Sequence, residues 1–177
     1  MKTVVTLTAV AAALSIGSHI GHAAGSSAHS ADAGQFTRQV IGDWVVACAP
    51  PNDGHRSCMM TQTLSSRKLK KTVSVFTIGK DRAGKLKASI RLPIGVALPA
   101  GVIVGIENQK RFAVPYSACH RIGCFAPFDL TEPMLGQLRN ASKVSAVAQS
   151  VSNQALNLNF STRGFPAAYE TYLKESR

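Results

Sequence analysis

The chain has 177 residues and a net charge of +11, from 20 lysines and arginines against 9 aspartates and glutamates. Those acids are scattered singly, so no carboxylate pair of the kind glycoside hydrolysis needs stands out. Beyond the N-terminus no segment is long and apolar enough to span a bilayer.

Residues 1–23 have the layout of a secretory signal peptide. Lys2 gives a short positive start, Val4 to Ile16 is an apolar run, and Gly21-His22-Ala23 places small residues at both critical cleavage positions. The run falls short of the roughly 18–20 residues of a membrane anchor. Cleavage is expected after Ala23, and with Cys48 the first cysteine there is no lipidation signal. Residues 24–35, rich in Ala, Ser and Gly, suit a flexible lead-in. Residues 36–177 then form a single folded domain, long enough to bury most of its unfolded surface.

Val40, Ile41, Trp44, Val45 and Val46 form a β-leaning run ending at Cys48, with a turn or bulge at Gly42-Asp43. Trp44 reads as a core anchor. Pro50 to Gly54 reverses the chain, and Cys58 to Leu64 returns as a strand. After the basic connector Arg67 to Lys71, Thr72 to Gly79 carries apolar side chains on both faces, as a strand buried between layers would. Lys80 to Gly84 has hairpin-turn composition. Leu86, Ala88, Ile90 and Leu92 then recur every second residue, a half-buried strand.

Leu92-Pro93-Ile94-Gly95-Val96-Ala97-Leu98-Pro99-Ala100-Gly101 follows as an apolar connector expected to pack down on the domain. Its prolines cannot both sit inside one helix, and Gly95 and Gly101 supply backbone freedom for turns. It divides the chain into two strand-rich halves, each with a close cysteine pair. Val102, Val104 and Ile106 alternate in the next strand, Asn108 to Lys110 turns, and Arg111 to Tyr116 answers. Phe125 to Leu130 is strand-like. Thr131-Glu132-Pro133 opens a short helix with Met134, Leu135 and Leu138 on one face, ending near Asn140. Val144–Val151 and Leu156–Phe160 pair around Ser152 to Gln154. Phe165 to Lys174 closes as a helix with Tyr169, Tyr172 and Leu173 packing back. Many short strands with turn chemistry between them predict an all-β sandwich with one inserted and one C-terminal helix.

Four cysteines in an exported chain read as disulfides, and four allow three connectivities. Cys48–Cys58 and Cys119–Cys124 are favoured because both are local and each spans a turn-like segment. The spacings suit neither a C-x-x-C zinc knuckle nor a redox pair. His29, His55 and His120 show no triad context, and no G-x-S-x-G elbow, H-E-x-x-H or phosphate-cradling glycine loop is present. No catalytic residue, metal or cofactor is therefore assigned, and the expectation is a protein that is not an enzyme. Arg67, Lys68, Lys70, Lys71, Lys85, Lys87 and Arg91 concentrate the positive charge. They read either as solvated hairpin ends or as a patch for lipid head groups, lipopolysaccharide or sulfated glycans. Nucleic acid fits poorly, because Phe76 is the one aromatic in the stretch.

Gly42-Asp43-Trp44-x-Val46-x-Cys48, Cys58-Met59, the double L-P-x-G element, Cys119-x-x-x-Gly123-Cys124 and Gly164-Phe165 together resemble the invasion-associated locus B (IalB) family across the mature chain. The resemblance implies an immunoglobulin-like β-sandwich exported by a Gram-negative bacterium, in the periplasm or at the cell surface. The family's founding member is associated with entry into erythrocytes. The resemblance supplies no catalytic residues to carry over. It implies a binding role at the bacterial envelope or host-cell interface, as a virulence factor, or else an accessory periplasmic role.

Overall fold

The computed structural model describes residues 35–52, 54–66 and 70–177. The expected signal peptide, nearly all of the lead-in, His29, Arg67 and Lys68 lie outside the described residues. In chain order the elements are β1 (Thr37–Ile41), β2 (Trp44–Cys48), β3 (Cys58–Ser66), β4 (Lys71–Lys80), β5 (Leu86–Leu92), β6 (Val102–Ile106), β7 (Phe112–Val114), β8 (Ala118–His120) and β9 (Gly123–Asp129). After them come α1 (Glu132–Asn140), β10 (Lys143–Gln149), β11 (Ala155–Ser161) and α2 (Phe165–Glu175).

The strands form a seven-stranded sheet, β1-β2-β3-β4-β5-β9-β8, and a four-stranded sheet, β11-β10-β6-β7. Their inner faces build one core, the all-β sandwich that the sequence predicts. Strand alternation sends Trp44, Met60, Phe76, Ile78, Ile90 and Leu92 inward from the larger sheet. Val102, Val104, Val144, Ala146 and Phe160 meet them from the smaller one. Aromatic rings bridge the layers: Phe76 lies 5.4 Å from Phe160, and Phe128 lies 5.4 Å from Phe112.

Four strands cannot cover seven, and α2 covers the remainder, packing on β1, β2 and β3. Phe165, Ala168, Tyr169 and Tyr172 recur at helical spacing and are buried. The Phe165 ring stands 5.3 Å from that of Trp44. Leu173, expected to pack back, is exposed instead, because it falls off that stripe. Buried Gln62 ties the layers with hydrogen bonds. Its amide nitrogen donates to the Ser161 carbonyl (2.8 Å), and its amide oxygen accepts from the Ser161 N–H (2.7 Å).

The residues at the two ends of the family-like pattern touch one another. The Gly42-Asp43 turn between β1 and β2 crosses the Arg163-Gly164 segment that leads into α2. A Cβ on Gly164 would lie 2.6 Å from the Ile41 carbonyl oxygen, and one on Gly42 would strike the Arg163 carbonyl. Both residues have positive φ, 59° and 83°. Asp43 N–H donates to the Arg163 carbonyl at 3.1 Å, and the Asp43 carboxylate accepts a forked bond from the Arg163 guanidinium. That fork holds the Asp43 carboxyl below its ordinary range.

Two further expectations change. The cysteine-bearing halves are not separate units, because β9 returns to the first sheet and Cys124 pairs opposite Leu92. Among the described residues the outer face of β4 has no second layer over it, and Val73, Val75 and Thr77 there are only half-buried. The turn-like segment expected between Cys119 and Cys124 is the β8–β9 turn, flanked by a short strand, β8, that the sequence reading did not name.

Candidate surface-binding site

Cys48–Cys58 and Cys119–Cys124 form disulfides between directly opposed residues of neighbouring strands. They sit at opposite ends of the larger sheet. One end holds the Cys48–Cys58 pair, the β4–β5 turn and the β6–β7 turn. At the other lie the start of β4, the β8–β9 turn and the connector from β5 to β6.

At that second end the connector folds back on the β10–β11 turn. Ala97 N–H donates to the Gln149 carbonyl (2.7 Å), and Val151 N–H donates to the Gly95 carbonyl (2.8 Å). Gly95 and Gly101 adopt positive φ, 97° and 62°, as the turns require. A single 3-10 turn, Leu98–Ala100, lies between them. The connector does not pack down as a whole. Val96 is buried at 3% exposure, whereas Ile94 (65%), Leu98 (52%) and the adjoining Val151 (77%) project into solvent. Ile122, in the β8–β9 turn, is exposed at the same end.

The basic residues read from the sequence divide between the two ends. Lys70 and Lys71 open β4 at the connector end, both exposed, and Lys70 takes φ 48° in the turn. Arg91 lies one residue before the connector on the outer face of β5. With Val75, Thr77, Ser89, Ile122 and Phe125 it lines a shallow hollow of about 430 Å³. Lys85 and Lys87 stand at the opposite end, about 30 Å away along β4 at the rise of an extended strand. Lys87 is paired there with Asp129, which raises the lysine's pKa and lowers the aspartate's. Asp81 accepts the Ala83 and Lys85 N–H groups, both at 2.9 Å, and so shapes the β4–β5 turn.

Acids show the same asymmetry. Asp81, Glu107, Asp129 and Glu132 all belong to turns, strand ends or α1 at the Cys48–Cys58 end, Glu170 and Glu175 lie on α2, and Asp43, in the β1–β2 turn, is taken up by Arg163. Among the described residues, no carboxylate forms an ion pair with Lys70, Lys71, Arg91 or Arg121 at the connector end. Sequence reading did not bring Ile94, Leu98, Val151, Ile122 and Arg121 together at this end. The one available signal was an apolar run bracketed by Pro and Gly.

His55 and His120 are both exposed and do not converge. His55 bridges to Asn52 beside the Cys48–Cys58 pair, while His120 ends β8 with its ring 5.8 Å from Phe125 at the connector end. Among the described residues no group of His, Cys, Asp or Glu is arranged to hold a metal. None of their helices is long and apolar enough to cross a membrane.

The likeness to known proteins covers this same framework. Residues 44–172 match the family model described as Invasion associated locus B (IalB) protein. Invasion protein B homologs of two Brucella abortus strains, 2308 and biovar 1 strain 9-941, are each 25% identical over 129 residues, covering 72% of this chain and 74% of theirs. The crystal structure of invasion associated protein b from Bartonella henselae superposes with a TM-score of 0.69 at 17% identity, over 78% of this chain and 95% of that one. Family and disulfides together point to an exported protein. With the family model spanning most of the sandwich, this chain belongs to the invasion associated locus B family.

Proposed function

We propose that the chain is a non-enzymatic, exported binding protein of the bacterial envelope that docks on an anionic lipid surface through its connector end. The observation that carries this reading is the coincidence, at one end, of exposed Ile94, Leu98 and Val151 with Lys70, Lys71 and Arg91, none of which is ion-paired with a carboxylate among the described residues. Cations draw a protein to phosphate-bearing head groups, and apolar tips enter the head-group boundary. A sulfated glycan would use the cations but leave the apolar tips in water, so a lipid surface fits better. The surface belongs either to the bacterium, as lipopolysaccharide or phospholipid, or to a host cell, as the names of the relatives suggest.

The test is binding of the disulfide-bonded chain to phosphatidylcholine vesicles with and without phosphatidylglycerol, alongside lipopolysaccharide micelles and immobilised heparin. Binding should require anionic lipid and fall steeply with salt, since the Debye length shortens from about 10 Å at 0.1 M to about 3 Å at 1 M. Replacing Ile94 and Leu98 by Ser should weaken lipid binding and leave heparin retention unchanged. Equal binding to neutral and anionic vesicles would defeat the reading. Protease shaving of intact cells separates the two sources of lipid: digestion places the chain where host membranes are reachable, and protection confines it to the periplasm.

A further inference from the structure

We propose that β11 is a self-association edge, along which two copies of this chain pair their β11 strands antiparallel about Asn157 into one continuous sheet. The direction of the ladder carries the argument. Gln154 carbonyl accepts from Ser150 N–H (2.9 Å), and Thr162 N–H donates to the Ser142 carbonyl (3.1 Å). Alternation along an antiparallel ladder therefore turns the even-numbered residues of β11 toward β10 and the odd-numbered ones outward. At Ser161 that outward position is already filled, because the Gln62 amide bonds both its N–H and its carbonyl. Ala155, Asn157 and Asn159 continue the same edge into solvent, with no backbone partner among the described residues.

The other sheet edges are blunted. β1 carries Arg38 near its middle, β7 has 3 residues between Arg111 and Pro115, and β8 has 3 and runs into Arg121. Short length, charge and proline are how edges are kept from pairing. β11 has none of these: it is 7 residues long and in unbroken register with β10, without charge or proline. It lies in Val144–Thr162, the longest run without Asp, Glu, Lys or Arg among the described residues. In a chain of net charge +11, like-charge repulsion opposes a second copy least at this edge.

The edge is also complementary to itself. Centred on Asn157, antiparallel pairing sets Asn157 against Asn157 of the second copy and Ala155 against its Asn159, each exchanging both ladder hydrogen bonds. Leu156 then meets Leu158 of the second copy on the inner face. Both leucines are only half-buried in the single chain, at the margin of the core, and pairing covers them.

Sedimentation equilibrium of the disulfide-bonded chain, from about 1 to about 500 μM, tests this. A reversible dimer is expected. Asn157→Lys and Asn157→Asp each place like charges opposite one another on the two-fold axis and should raise the dimer dissociation constant at least about fivefold. Because Asn157 is exposed, both variants should keep the wild-type melting temperature in dilute solution, where the wild-type chain is also monomeric. An equimolar mixture of the two should recover the dimer, since lysine then faces aspartate. A wild-type chain that stays monomeric throughout overturns the proposal. So does a dimer that both substitutions leave intact, or a mixture that fails to recover it.

Discussion

Buried phenols make the sharpest claim at the scale of single residues. Burial pushes the Tyr116 hydroxyl up to about 12 and also raises Tyr169 and Tyr172 above the ordinary tyrosine value, and the chain holds 3 tyrosines. An unfolded tyrosine ionises near pH 10, whereas these resist until higher pH. Stability carried by the neutral phenols is therefore complete below pH 10 and is lost as the pH climbs toward the folded values. Absorbance at 295 nm against pH should show all three tyrosines ionising above the value of a free tyrosine, Tyr116 resisting to about 12 unless the chain unfolds first. A normal titration step at pH 10 would contradict the burial. The Gly42–Gly164 crossing makes a second claim. Gly42→Ala or Gly164→Ala should each lower unfolding free energy by about 2–4 kcal/mol, read from urea melts, since both positive φ and backbone clash oppose a Cβ. These residues were visible in the sequence as a pattern, but their reason was not. Gly42 and Gly164 are far apart in the chain, and only the fold brings their backbones together.

Among the elements, legibility followed side-chain periodicity. Leu86, Ala88, Ile90 and Leu92 alternate strictly, and β5 appears as expected. Thr131-Glu132-Pro133 set the start of α1, although the Thr131 side chain makes no capping bond. Strand β8, with Ala118, Cys119 and His120 all exposed, carries no apolar alternation and is held by its pairing with β9. Apolarity misled at the connector, because burial is a one-way rule and exposed leucines are common. Here Ile94 and Leu98 lie on the outside of turns whose inward residue is Val96. Disulfide placement yields an element-scale prediction. Cys119 is exposed whereas Cys48 and Cys58 are buried, so mild reduction should open Cys119–Cys124 first. Alkylation of Cys48 and Cys58 ahead of Cys119, followed by peptide mapping, would contradict it. Each bridge closes a short loop, with sequence separations of 10 and 5, and loss of either should cost about 2–3 kcal/mol.

At the scale of the whole molecule, charge has a direction that composition conceals. In the chain, Arg67 to Arg91 is one basic stretch. Folding it into a long hairpin sends Lys70 and Lys71 to one end and Lys85 and Lys87 to the other, where acids also gather. The connector end joins Lys70, Lys71 and Arg91 to the exposed apolar tips of Ile94, Leu98 and Val151, and no local reading of the sequence could have sorted the lysines that way. The proposed β11 pairing uses neither group, so its outcome leaves the binding account untouched. The most direct measurement compares two charge-neutralised variants on the same anionic vesicles. With about 1 kcal/mol per cation near such a surface, replacing Lys70, Lys71 and Arg91 by Gln should weaken binding about a hundredfold. Replacing Lys85 and Lys87 by Gln should change it little, because Lys87 is already paired with Asp129. Equal losses in the two variants, or a larger loss in the second, would contradict the account.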